Sequence, residues 1–156
     1  MVFLIASLLG VVPIKQEHPL DCAIAVTIMV LDYYGLDTSN VHDEMRGDIP
    51  ESQGLRAEKI SDNLNSKGLF TEWKVLFPFE FVQFIKSEIK GNRPTIVILK
   101  SGRISYHTVV VIGIDEERIY YINPTTGKIV DNKIKDFTNL AITDYGIFTL
   151  QIKNEK

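Results

Sequence analysis

Hydrophobic positions in the first part of the chain follow helical patterns. The run Cys22–Tyr34 is apolar on nearly every face, contains no glycine or proline, and stops at Gly35. Such a run predicts a buried central helix, with Asp21 as its N-cap and Gly35 at its end. Three further helices are predicted at 39–46 with Ser39 as cap, at 55–67 before Gly68, and at 78–90 with Pro78 in the first turn.

The second part of the chain consists of β-branched runs separated by polar segments. Strands are predicted at 95–99, 108–114, 119–122 and 147–152, after an earlier one at 73–77. The short polar turn 115–118 predicts a hairpin, and short links between strands favour antiparallel pairing. We therefore expect an α+β fold, with N-terminal helices, a central buried helix that carries Cys22, and then a mainly antiparallel β-sheet.

Residues 1–12 are almost wholly apolar. A membrane-spanning helix needs about 18 such residues, and a signal peptide begins with basic residues, whereas the first one here is Lys15. We expect this segment to pack as a strand or short helix, with a targeting or membrane-contact role as the alternative. Residues 13–156 contain no repeat or linker and are predicted to form one domain. A cytoplasmic or membrane-associated location is expected, with secretion as a further alternative.

Composition argues against several classes of function. The chain has 156 residues and a net charge of -3, and its basic residues are scattered, so nothing indicates a nucleic-acid partner. It has a single cysteine, so the fold cannot depend on an internal disulfide. No nucleotide-binding motif is present, and no cofactor is expected.

Cys22 is predicted at the first turn of the central helix, where the helix dipole and free N–H groups favour a thiolate. A buried apolar cysteine or an incidental surface thiol are the alternatives. Asp21 places a negative charge next to the thiolate and disfavours it, so a basic partner is needed to stabilise the thiolate. His107 is the candidate base, because it opens an apolar strand after a polar segment; a core or strand-edge histidine is the alternative. His18 lies in a loop, and His42 is interpreted as a solvated surface residue.

Two further residues would complete a catalytic site for acyl transfer. Asn123 ends the strand after His107, and the predicted hairpin brings these residues together. Its side-chain oxygen would accept the Nδ1 proton of His107 and leave Nε2 for the thiol. An ordinary turn asparagine before Pro124 is the alternative. Gln16 is a candidate oxyanion donor, together with the backbone N–H of Cys22.

Taken together, these motifs resemble one family. The segment from Gln16 through Asp21-Cys22 to Tyr33-Tyr34-Gly35 resembles the active-site signature of bacteriocin-processing (double-glycine leader) peptidases, within the papain-like superfamily. His107 with its apolar strand and Asn123-Pro124 are similar to the family's histidine and third catalytic positions. The resemblance covers residues 12 to 150. Two departures are Ala23-Ile24 after the cysteine and Asn123 in place of aspartate.

The resemblance implies a cysteine peptidase that cleaves a peptide or protein substrate after a Gly-Gly pair. It assigns Cys22 as nucleophile, His107 as base, Asn123 as orienting residue and Gln16 as oxyanion donor. Membrane or exporter association through the N-terminal segment is a further expectation. The alternatives are a deamidase or transglutaminase-like enzyme on the same residues, a non-catalytic peptide-binding module, and a metal site built from His18, Cys22 and His107.

Overall fold

We describe the protein from a computed structural model, which covers residues 7–101 and 105–154. Within them the helices are α1 (Cys22–Tyr33), α2 (Val41–Arg46), α3 (Glu58–Ser66), α4 (Pro78–Lys90) and α5 (Ile134–Ala141), and the strands are β1 (Phe70–Leu76), β2 (Thr95–Ser101), β3 (Ser105–Ile114), β4 (Arg118–Asn123), β5 (Lys128–Lys133) and β6 (Ile147–Lys153). The predicted α+β class is confirmed. Strand β5 and helix α5 were not predicted.

One antiparallel sheet has the strand order β1-β6-β2-β3-β4-β5. Neighbouring residues of a strand point to opposite faces, so the sheet has two hydrophobic cores. Ile96 packs with α1 and α3 on one face, and Val97 packs with α4 and α5 on the other. The sheet therefore lies between two helical layers.

Helix α1 fills the first core, as its apolar sequence predicts. Most residues from Ala23 to Leu31 are buried. The hydroxyl of the polar Thr27 donates a hydrogen bond to the Ala23 carbonyl at 2.7 Å. The chain leaves the helix through Gly35, whose φ of +70° lies in the left-handed region that glycine adopts without steric cost. Most of this helix is thus enclosed by the core, and its first residue is Cys22.

Of the two predicted N-caps, Asp21 has the predicted position and Ser39 does not. Asp21 precedes α1 but makes no side-chain cap hydrogen bond, because its carboxylate binds an arginine instead. Helix α2 begins at Val41 with Asn40 at the N-cap position, so Ser39 lies outside it. The backbone N–H of Ser39 bonds to the Asp37 carboxylate in a local turn.

The N-terminal segment is packed but irregular over its described part. Residues 7–12 form neither helix nor strand, which corrects the predicted secondary structure, and residues 1–6 lie outside the described residues. The Leu9 N–H bonds to the Ile112 carbonyl at 2.9 Å, and Val11 is buried. Across the described ranges, no helix is long and apolar enough to span a bilayer.

Candidate active site

The β3–β4 hairpin places two of the predicted site residues together. Its turn is closed by the Asp115 carboxylate, which accepts the backbone N–H groups of Glu117 and Arg118 at 2.8 and 2.7 Å. The register pairs Val110 with Ile122, which brings Asn123 diagonally opposite His107 on the same face. The hairpin predicted from the sequence therefore brings His107 and Asn123 together.

His107 Nε2 and Asn123 Oδ1 lie 2.8 Å apart. The same oxygen accepts the Thr125 backbone N–H at 3.0 Å, so the acceptor end of the amide faces the imidazole. Nε2 must therefore carry a proton and donate it. Asn123 is also a turn residue, since its backbone carbonyl accepts the N–H of Gly127 at 2.8 Å.

Cys22 is the second interaction partner of His107, after Asn123. The half-buried thiol interacts with the imidazole, and each group shifts the pKa of the other. Because Nε2 is engaged by Asn123, Nδ1 is the nitrogen left for the sulfur. This corrects the predicted assignment of the ring nitrogens. Diagonal neighbours on adjacent strands lie about 7–8 Å apart, a gap that the outer nitrogen, Nε2, spans better than Nδ1.

The electrostatics of the pair favour charge separation. Burial raises the pKa of the Cys22 thiol, but the His107 hydrogen bond and the polar groups of Thr108 outweigh it, and the net pKa lies below the ordinary value. Burial lowers the pKa of His107, but the contacts with Cys22 and Asn123 raise it above the ordinary value overall. Both shifts favour a thiolate beside an imidazolium.

Gln16 lies in the loop before α1, and its backbone N–H bonds to the Pro124 carbonyl at 2.8 Å. Its side-chain nitrogen faces the carbonyl oxygens of His18 and Pro19 at 3.0 and 2.9 Å. Both amide hydrogens are thereby directed into the loop. The structure joins this loop to the Asn123 turn, but it does not leave the Gln16 amide free to receive an oxyanion.

The other histidines lie apart from this pair. Ligand atoms of His18, Asp21 and Glu51 come within 4.8 Å of one another, and His42 Nε2 lies 3.0 Å from a Glu51 oxygen. Among the described residues, His18, Cys22 and His107 do not form the metal-ligand group considered from the sequence.

One charged residue at this end of the molecule was missed. Arg46, on α2, has a side chain only 3% exposed and lies 2.6 Å from the Asp21 carboxylate. Arginine is rarely buried unless it is paired. The sequence signal for Arg46 is weak, because a basic residue in the last turn of a polar helix usually interacts with the helix dipole.

The comparisons with known proteins agree with this architecture. The model of the Peptidase_C39 like family matches residues 8–149. The peptidase domain of Streptococcus ComA, a bi-functional ABC transporter involved in a quorum sensing pathway, is 17% identical with a TM-score of 0.73, covering 94% of this chain and 100% of that one. A double glycine motif protease from an AMS/PCAT transporter, solved with the leader peptide, is 19% identical with a TM-score of 0.69, covering 96% and 99%.

A third similar structure is a putative C39-like peptidase from Bacillus anthracis, at 14% identity and a TM-score of 0.71, covering 97% of this chain and 100% of that one. None of the curated protein sequences matches the chain at a significant level. At these identities the structural neighbours establish the fold. Since the family model spans nearly the whole sequence, the chain belongs to the Peptidase_C39 like family.

Proposed function

We propose that this protein is a cysteine peptidase in which Cys22 is the nucleophile, His107 the base and Asn123 the residue that orients the base. The observation that carries the proposal is the continuous contact from thiol to imidazole to amide oxygen. A buried structural cysteine requires no basic partner, and the lowered thiol pKa together with the raised imidazole pKa is the arrangement that nucleophilic catalysis requires.

The reaction begins when the thiolate sulfur attacks the carbonyl carbon of a peptide bond. The oxyanion that forms lies at the start of α1, where the Cys22 backbone N–H has no partner within the helix. The tetrahedral adduct collapses to a thioester, and the leaving amine takes a proton from His107. Water then attacks the thioester, gives its proton to His107, and releases the carboxylic acid and the thiol.

Gln16 is the second proposed oxyanion donor. To act in this way it would have to release one of its two contacts with the His18 and Pro19 carbonyls. A substrate carbonyl that develops negative charge is a stronger acceptor than a neutral loop carbonyl. Binding of substrate would therefore provide the driving force for the amide to turn.

A groove of about 620 Å³ supports a peptide as the substrate. Its lining combines the segment that leads into α3 with apolar side chains of the sheet: Arg56, Ala57, Glu58, Trp73, Ile98, Tyr106 and Phe148. Tyr106 precedes His107, and Ile98 pairs with Thr108, so the groove is lined by strand positions next to His107. Cleavage after Gly-Gly in a leader peptide is the specificity we propose, by analogy with the double glycine motif protease.

Association with an exporter is proposed on similarity alone, because two of the similar structures are domains of transporters. The described part of the N-terminal segment is held by the sheet, since Leu9 bonds to Ile112. A contact with an exporter would therefore use residues before this point or another surface.

Alkylation by iodoacetamide against pH tests the mechanism. Cys22 is the single cysteine of the chain, so the reagent reports on this thiol alone. The wild-type profile should have its midpoint below that of an ordinary thiol, about 8.5. His107→Ala should move the midpoint upward, because the burial that raises the thiol pKa loses its main opposing interaction. Asn132→Ala is the control, because the Asn132 side chain bonds to Tyr121 on the neighbouring strand and contacts neither His107 nor Asp21.

Two results would overturn or redirect the proposal. Ordinary thiol behaviour in both wild type and His107→Ala would remove the basis for an activated nucleophile. If the thiol is activated, Gly-Gly peptides and glutamine-containing proteins should be offered side by side, with Cys22→Ala as the inactive control. New peptide termini would support hydrolysis, whereas ammonia release without cleavage would identify a deamidase.

A further inference from the structure

The residue before the nucleophile is a buried acid. Asp21 is only 2% exposed, so water cannot screen its charge effectively. A carboxylate beside a thiol disfavours the thiolate, which is the form that the proposed reaction requires. Asp21 also makes no cap hydrogen bond to α1. Its retention beside Cys22 therefore needs a compensating cation.

Arg46 supplies that cation. Its Nη2 and Nε lie 2.6 and 3.1 Å from the same oxygen of Asp21, Oδ1. The guanidinium is almost fully buried, at 3% exposure, and so is the carboxylate, so the attraction is weakly screened. The helix dipole at the start of α1 favours negative charge as well, but it acts on Asp21 and on the thiolate alike.

The remaining N–H groups of Arg46 bind backbone. Nη2 donates to the Leu20 carbonyl at 3.2 Å, and Nη1 donates to the carbonyls of Pro50 and Gln53 at 2.8 and 2.6 Å. All five N–H groups of the guanidinium thus have acceptors. Leu20 and Asp21 are the last two residues before α1, so the same side chain fixes the backbone from which Cys22 projects.

The Asp21 carboxylate has few other charged neighbours. His42 Nε2 lies 3.8 Å from its second oxygen, and that oxygen has no hydrogen-bond partner among the described residues. His18 and Glu51 also face it, and Glu51, 45% exposed, lies 3.2 Å from Arg46 Nε. On the thiol itself the charged neighbour is His107. Among the residues that the structure describes, Arg46 is therefore the permanently charged cation in contact with Asp21.

We propose that Arg46 is a positioning residue for the nucleophile: it neutralises Asp21 and anchors the 20–21 backbone, so that the Cys22 thiolate forms at the head of α1. The inference rests on the proposed function, because it concerns the reactivity of the same thiol. It adds a residue from another helix: Arg46, on α2, contacts neither the substrate nor the sulfur in the proposed mechanism.

Alkylation profiles of three variants separate charge from structure. Arg46→Met keeps an apolar stem but leaves Asp21 uncompensated, so its profile should move to higher pH, with a rate near pH 7 about tenfold lower, the change that one pKa unit produces. The double variant Asp21→Asn with Arg46→Gln replaces the ion pair by two neutral side chains, and it should recover most of that rate. Asp21→Asn alone keeps the cation, so its profile should move to lower pH.

Each outcome supports or overturns the inference. If folded Arg46→Met has an unchanged profile of alkylation against pH and only a lower melting temperature, the role of Arg46 is structural alone. A double variant as slow as the single one would refute the charge argument. If Arg46→Met does not fold, Asp21→Asn decides, because an unmoved or upward-moved profile contradicts the inference. If wild type itself behaves as an ordinary thiol, the proposed function has failed, and this is distinguishable from failure of Arg46 alone.

Discussion

Replacement of Asn123 by alanine removes the oxygen that holds the outer nitrogen of His107. The 2.8 Å hydrogen bond to Nε2 is one of the interactions that raise the pKa of His107. Without it the imidazolium is less stable, and so is the thiolate paired with it. The pKa of His107 should fall in this variant, and the pKa of the Cys22 thiol should rise.

The size of the effect follows from the charge state of the imidazole. A hydrogen bond to a charged group contributes about 1.5–3 kcal/mol, and one between neutral groups contributes about 0.5–1.5 kcal/mol. Asn123 accepts from Nε2 in both states, so only the difference, about 1–1.5 kcal/mol, acts on the ion pair. That difference corresponds to about a tenfold smaller thiolate population below the thiol pKa.

The assay is the second-order rate of iodoacetamide alkylation, measured from about pH 5 to pH 9 around the reference thiol pKa. Asn132→Ala is the matched control, since Asn132 Oδ1 also accepts a side-chain hydrogen bond, from Tyr121 at 2.6 Å, on the next strand. Asn123→Ala should lose about tenfold in rate at acid pH, and Asn132→Ala should lose none. Rates within twofold of wild type across the range in folded Asn123→Ala would refute the role of this hydrogen bond.

Three further substitutions test the site and two other parts of the structure. Asn123→Asp keeps an acceptor for His107 and should retain the acid-pH alkylation rate that Asn123→Ala loses; a rate as low as that of the alanine variant would contradict the role given to Oδ1. Phe137→Ala removes a fully buried ring and should lower the free energy of unfolding by about 3–5 kcal/mol in urea titrations, whereas Tyr145→Ala, at a site 79% exposed, should stay within about 0.5 kcal/mol. Gly146→Ala would place a Cβ 2.9 Å from a backbone oxygen at a φ of +127°, and we expect a loss of about 1–3 kcal/mol, measured the same way; unchanged stability would show that the turn relaxes freely.

Local patterns predicted the elements that position the site. The all-round apolar run at 22–34, the β-branched runs and the polar turn at 115–118 each depend on nearby residues, and each forms the expected helix, strands and hairpin. The neighbourhood of His107 and Asn123 followed from these elements. Strand β5 and helix α5 were missed because their buried faces are small, with Phe137 and Ala141 as the main apolar residues that α5 buries.

Contacts between distant segments could not be predicted in the same way. Asp21 has the local signature of an N-cap, but Arg46, 25 residues later, binds its carboxylate. The assignment of the His107 nitrogens depends on the diagonal reach to Asn123, which is a property of the register. Gln16 stands at the expected offset, but the orientation of its amide depends on the carbonyls of the loop around it.

The position of β6 has a consequence for how the protein acquires its structure. This last strand lies between β1 and β2 and pairs with both. The hairpin that carries His107 can form from local contacts, whereas closing the sheet requires residues 147–153 to insert between segments made much earlier. The early intermediates would therefore expose unpaired strand edges, which are prone to aggregate. A chain shortened before β6 should be far less soluble than the intact one, even though every residue of the candidate site would still be present.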